Sequence, residues 1–181
     1  MNWPNVISLA RLLSAPVGIW LILGGNMTAA FWLFLAAGLS DAVDGFIAKH
    51  FDSRSQLGAL LDPIADKTLI VSMVVALGFA GLLPNWLVIL IVFRDALIIG
   101  GFLLTQAVSD ATRWRPALVS KLNTGIQIVL VAWILARLGL GAEDYGITPI
   151  LIDAAGVTTV LSGAVYLMRW MRFFGGAEET R

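Results

Sequence analysis

Apolar residues run along this chain in long blocks with brief polar interruptions, at roughly residues 7–23, 28–49, 57–80, 85–106, 119–138 and 149–170. Most of these blocks reach or approach the roughly 20 residues that a helix needs to cross a hydrocarbon core. They are too long and too continuously apolar for the alternating strands of a barrel, the other fold that satisfies its own backbone in lipid. The pattern predicts an all-α polytopic membrane protein with six transmembrane helices. Pro4, Pro84, Pro116 and Pro149 stand at or before the predicted helix starts, Pro63 falls in the first turns of the third helix, and Pro16 predicts a kink in the first. Gly24-Gly25, Gly81 and Gly139/Gly141 punctuate the other ends. With no internal repeat and no low-complexity segment, residues 1–181 read as a single membrane domain.

Six spans put both termini on one side, together with the second-to-third and fourth-to-fifth connections. That side collects Arg11, Lys49, Arg54, Lys67, Arg113, Arg115, Lys121, Arg169, Arg172 and Arg181, against Arg137 with Glu143 and Asp144 on the other. The excess of cations predicts cytoplasmic termini. Trp3, Trp114 and residues 169–174 suit interfacial anchors on the same side.

Composition sharpens the class. The 181 residues are 59% hydrophobic and only 13% charged, about half the charge of an ordinary soluble domain. Little chain remains between the spans for a separate soluble catalytic domain, so any chemistry lies in or beside the bilayer. Twelve basic and twelve acidic residues balance, which gives no support to nucleic-acid binding. The absence of cysteine excludes disulfides and thiolate chemistry, and the single histidine, His50, excludes mechanisms that need two. The first block continues into the next without a small-residue cleavage site, so it reads as a span rather than a removable signal, and the expected location is a bacterial plasma membrane.

Four carboxylates interrupt this apolar background. Asp41 and Asp44 end the second span, and Asp62 and Asp66 open the third. Spacings of three and four place each pair on one helical face, and the short connection folds the two helices back so that the faces can converge at their cytoplasmic ends. Converging carboxylates repel unless protonated or bridged, and hard divalent cations with oxygen ligands, Mg²⁺ or Mn²⁺, supply the missing charge. The residues therefore read as a two-metal site suited to phosphoryl chemistry. The competing reading is four headgroup-level carboxylates paired with Lys49, Arg54 and Lys67.

The residues between them complete a longer pattern. Asp41-Ala-Val-Asp44-Gly45-Phe-Ile-Ala48-Lys49 is followed by eight residues to Gly58, three more to Asp62 and three more to Asp66. This resembles the signature of the CDP-alcohol phosphatidyltransferase family, with one departure, Lys49 where the family usually has Arg. Asn5-Val-Ile-Ser8-Leu-Ala-Arg11 resembles the family's N-terminal pattern. Phe93-Arg94-Asp95 and Val119-Ser120-Lys121-Leu122-Asn123-Thr124 resemble later motifs of its CMP-forming cardiolipin synthase branch. The last span is matched only by hydrophobicity.

The resemblance implies transfer of a phosphatidyl group from CDP-diacylglycerol to phosphatidylglycerol, with release of CMP, or alternatively to glycerol 3-phosphate. It implies two divalent cations on Asp41, Asp44, Asp62 and Asp66, with Asp66 also the base for the acceptor hydroxyl. It implies CDP-alcohol contacts from Asn5, Ser8, Arg11, Gly45, Ala48, Lys49 and Gly58, and a homodimer. Small residues at 45, 48 and 58 let a nucleotide approach helix backbone, although they equally let membrane helices pack closely. Lys49 keeps a positive charge without the planar fork of Arg.

Arg94 is the costly cation, near mid-span. It reads as an acceptor or lipid phosphate contact assisted by Arg113, Arg115 and Lys121, or as a structural ion pair; Asp95, next in sequence, is expected to point elsewhere on the helix. Arg11 reads equally as a substrate contact or as a side chain snorkelling to the surface. Asn123, Thr124 and Gln127 read as interhelical hydrogen bonders. A transporter is the alternative of a different class, since intramembrane charge also marks a transport path, but the carboxylates gather at one face rather than at the midplane.

Overall fold

A computed structural model describes residues 3–51, 56–108 and 118–175, with side chains described over 10–40, 67–101 and 118–171. These residues form six helices in chain order: α1 (Trp3–Leu23), α2 (Met27–Phe51), α3 (Gln56–Phe79), α4 (Asn85–Val108), α5 (Leu118–Leu140) and α6 (Ile147–Gly175). The all-α expectation and the six blocks hold. Helices outrun the blocks where polar residues such as Asn5 and Arg172 continue the helical path beyond the apolar run.

The turns follow from local chemistry. Gly25 takes φ 75°, and Asn26 then caps α2, its Oδ1 accepting the Ala29 N–H at 3.2 Å. Asp144 does the same for α6, its Oδ1 accepting the Thr148 N–H at 3.0 Å and the Thr148 hydroxyl at 2.6 Å. Trp133 Nε1 on α5 reaches the Thr148 hydroxyl at 3.2 Å, and Arg137 Nη1 lies 3.4 Å from Asp144 Oδ2. The α5–α6 turn is thus fastened from both helices.

Helix α3 packs extensively on α1 and also touches α4 and α5; α5 lies between α2 and α6, and α6 also packs on α4. Met73, Val74 and Leu77 of α3 are fully enclosed, with Ile22, Leu87, Ile91, Leu130 and Ile134 around them. Outer faces are apolar as well, and large side chains such as Trp20, Phe79, Ile89 and Leu118 stand exposed. Among the described residues, Leu118–Leu140 and Ile147–Met171 are long and apolar enough to cross a membrane, while Ala10–Leu23, Met27–Ser40 and Lys67–Phe79 form shorter apolar stretches.

One glycine departs from its expected role. Gly141, with φ 73°, ends α5, whereas Gly139 lies inside it. A Cβ at Gly139 would stand 2.8 Å from backbone atoms of Met27 and Thr28, and the Thr28 hydroxyl donates to the Gly139 carbonyl at 2.6 Å. The missing side chain lets the start of α2 rest directly on the end of α5.

Candidate functional site

The signature is carried by two consecutive helices. Asp41, Asp44, Gly45, Ala48 and Lys49 fall in the C-terminal half of α2, and Gly58, Asp62 and Asp66 in the N-terminal half of α3. Asn5 and Ser8 fall in the first turns of α1. The side chains of all these residues lie outside the described set, as do Arg113 and Arg115 altogether. Four carboxylates supply hard oxygen donors of the kind that Mg²⁺ and Mn²⁺ take, so the residue types fit such ions.

Immediately after Asp66 the side chains are described, and they form a polar core through α3, α4, α5 and α6. Lys67 Nζ stands 2.9 Å from Asp95 Oδ1 and 3.5 Å from the Thr124 hydroxyl. Arg94 Nη1 stands 2.5 Å from the same Asp95 oxygen. Arg94 Nε donates to Ser162 Oγ at 3.0 Å, and Nη2 donates to Ser120 and to Ser162. Two cations therefore converge on one buried carboxylate, whose second oxygen has no hydrogen-bond partner among the described residues. Tyr166 of α6 lies between two guanidinium groups, with its ring centroid 6.0 Å from Arg94 Cζ and 5.9 Å from Arg169 Cζ.

This arrangement corrects one expectation. Adjacent Cα positions diverge by about 100° on a helix, but the Arg94 side chain is long enough to return to Asp95, and the two form an ion pair. Arg94 is only 2% exposed, with all three side-chain nitrogens engaged by the protein. Lys121, next to Ser120 and three positions before Thr124 on α5, is exposed. Arg11 is 5% exposed, which removes snorkelling to the surface.

Asn123 Oδ1 accepts from the Thr158 and Thr159 hydroxyls at 2.9 Å each, and Thr124 meets Lys67, so both bond between helices as expected. Gln127 is fully buried, and neither of its amide atoms has a hydrogen-bond partner among the described residues. Ser162 and Tyr166 escaped the sequence reading because α6 offers only an apolar pattern. Lys67 carried a signal, a cation directly after Asp66, but its partner on α4 is a property of the fold.

The carboxylate signature thus falls on α2 and α3 of a helical bundle, with a buried polar core of Lys67, Arg94 and Asp95 following it. The family model for CDP-alcohol phosphatidyltransferase matches residues 1–170, and the chain belongs to that family. It is 33% identical to a probable CMP-forming cardiolipin synthase of Drosophila melanogaster over 93% of this chain and 57% of the fly protein. It is 35% identical to the CMP-forming cardiolipin synthase of Homo sapiens over 90% of this chain and 60% of the human protein. It is also 33% identical to a probable phosphatidylglycerophosphate synthase of Mycobacterium tuberculosis, over 99% of this chain and 86% of the relative. The chain thus spans a little over half the length of the fly and human proteins.

Proposed function

We propose that this chain is a phospholipid synthase of the bacterial plasma membrane that transfers a phosphatidyl group from CDP-diacylglycerol to phosphatidylglycerol, giving cardiolipin and CMP. The observation that carries the reading is the complete run from Asp41 to Asp66, borne on two consecutive helices of a chain similar to proteins named cardiolipin synthases. Six membrane spans with both termini cytoplasmic accord with the apolar outer faces of the bundle and with the cation bias of the sequence. A homodimer accords with the family resemblance.

Asp41, Asp44, Asp62 and Asp66 would hold two Mg²⁺ or Mn²⁺ ions, which when bound supply positive charge against the diphosphate and the departing CMP. Gly45, Ala48 and Gly58 leave room for the cytidine nucleotide against helix backbone, Lys49 attracts its phosphates, and Asn5, Ser8 and Arg11 complete the donor's surroundings from α1. Asp66 takes the proton of the acceptor hydroxyl as that oxygen bonds to the phosphatidyl phosphorus and the bond from phosphorus to CMP oxygen breaks. Lys121, with Arg113 and Arg115, draws in the acceptor's phosphodiester. Arg94 acts from behind this surface, holding Asp95 and through it Lys67.

A second reading, phosphatidylglycerophosphate synthesis from glycerol 3-phosphate, is favoured by the similarity to the mycobacterial relative over 99% of the chain. The deciding assay gives the purified protein labelled CDP-diacylglycerol with each acceptor separately and identifies the lipid formed. Cardiolipin from phosphatidylglycerol is the expected product; phosphatidylglycerophosphate alone selects the second reading. Intact CDP-diacylglycerol with both acceptors rejects the two together and leaves the transporter alternative.

A further inference from the structure

On its outward side α5 bears a groove of about 420 Å³ lined by Lys121, Leu122, Gly125, Ile126 and Val129, with Leu151 of α6 as its far wall. That size lies within the usual range of ligand sites. The groove exists because of two sequence features. Positions 121, 125 and 129, with 122 and 126, repeat at helical spacing and form one stripe along α5. At its centre stands Gly125, where an added Cβ would meet nothing within 4 Å, so the stripe has a notch. The Asn123 bonds to Thr158 and Thr159 set the register of α5 on α6 and bring Leu151 level with Val129. From Lys121 to Val129 the stripe rises about 12 Å.

Its chemistry is graded. One end carries the exposed ammonium of Lys121, and the rest of the lining is apolar. The charged end lies at the depth of the proposed site along the bundle, because Thr124, three positions after Lys121 on α5, meets the Lys67 ammonium, and Lys67 directly follows Asp66. An anionic headgroup at Lys121 with a hydrocarbon tail running toward Val129 matches both ends. A second copy of this chain matches poorly: a two-fold axis normal to the bilayer would bring two Lys121 ammoniums to the same depth.

We infer that this groove seats one acyl chain of the acceptor phospholipid, with Lys121 on its phosphodiester, and that it is what selects a lipid acceptor over a soluble one. The inference rests on the proposed cardiolipin reading. It assigns Leu122, Gly125, Ile126, Val129 and Leu151 to acceptor recognition, separate from the donor residues on α1, α2 and α3.

The test compares full-length wild type, Gly125→Leu and Lys121→Gln in lipid nanodiscs, with dioleoyl phosphatidylglycerol and its deacylated headgroup, glycerophosphoglycerol, as acceptors. Gly125→Leu fills the notch and should raise the KM for the lipid acceptor tenfold or more. It should leave the KM for CDP-diacylglycerol, and any turnover of the deacylated headgroup, within twofold. Lys121→Gln should raise the KM for the lipid acceptor as well. In wild type, phosphatidylglycerol with a photoreactive acyl chain should crosslink to residues 122–129, a measurement that needs no variant to fold.

An unchanged lipid KM in a folded Gly125→Leu protein, or crosslinks confined to other helices, overturns the groove. So does a change of oligomeric state in that variant with normal kinetics, which would make this face a contact between copies. Wild type that forms no cardiolipin at all overturns the underlying function instead, so the two failures are distinguishable.

Discussion

Lys67 on α3 and Asp95 on α4 meet at 2.9 Å, and the same Asp95 oxygen receives Arg94. One carboxylate thereby balances two cations that come from different helices. The pair also ties the turn of α3 that follows Asp66 to the neighbouring helix, so the direction of the proposed metal-binding segment depends on a residue 28 positions further along the chain.

Asp95→Asn should therefore destabilise the bundle strongly, because Arg94 and Lys67 lose their shared counter-charge. Breaking a buried pair from one side costs about 3–5 kcal/mol. Thermal unfolding in detergent should show this loss, and Lys67→Met added to Asp95→Asn should recover part of it. A melting temperature unchanged by Asp95→Asn would contradict the assignment.

Asp41→Asn, Asp44→Asn and Asp62→Asn should each slow CMP release on the order of a hundredfold or more, as expected for removal of one stabiliser of transition-state charge. Their melting temperatures in metal-free buffer should stay close to wild type. Chelation should abolish turnover, and Mg²⁺ or Mn²⁺ should restore it. Full activity in excess chelator would sink the two-metal reading.

Gly139→Ala should destabilise by about 1–3 kcal/mol, the usual cost of forcing atoms into a filled space, because its Cβ meets the backbone of Met27 and Thr28. Gly38→Ala is the control. Nothing lies within 4 Å of a Cβ there, and an exposed helical glycine replaced by alanine gains helix propensity of up to about 1 kcal/mol. Equal melting temperatures for the two variants would show that α2 and α5 can part at no cost.

The Thr148 hydroxyl, which donates to Asp144, holds the Asp144 carboxyl below the usual carboxylate range, aided by the Thr148 N–H, Trp133 and Arg137. A carboxyl depressed in the folded state stabilises fully above its unfolded value and loses that contribution as pH falls through the folded value. Asp144→Asn should thus melt below wild type at pH 7, and the gap should narrow only below about pH 4. A gap that closes between pH 7 and 5 would point to a different group.

The six helices were legible because apolar blocks, prolines and paired glycines mark them without reference to tertiary contacts. The aspartate signature was legible for a similar reason, since its spacing runs along two consecutive helices and needs no tertiary contact to be read. Legibility fails where meaning comes from another part of the chain. Gly139 reads as a helix end until Thr28, 111 positions away, is seen resting on it. Ser162 and Tyr166 read as ordinary positions in an apolar helix until Arg94 reaches them from α4. The Arg94–Asp95 pair was missed for a local reason: helical geometry fixes the direction of Cβ, but not where a long side chain ends.

The Thr28–Gly139 seat makes α2 a lever. Its fulcrum lies where the first turn of α2 rests on α5, and Asp41 lies about 20 Å away along the same helix. A tilt of about 5° about that point moves the Asp41 end by nearly 2 Å, by the same helical rise. A small tilt at this glycine contact would therefore be carried along α2, in magnified form, to the end that bears Asp41 and Asp44, two of the four aspartates.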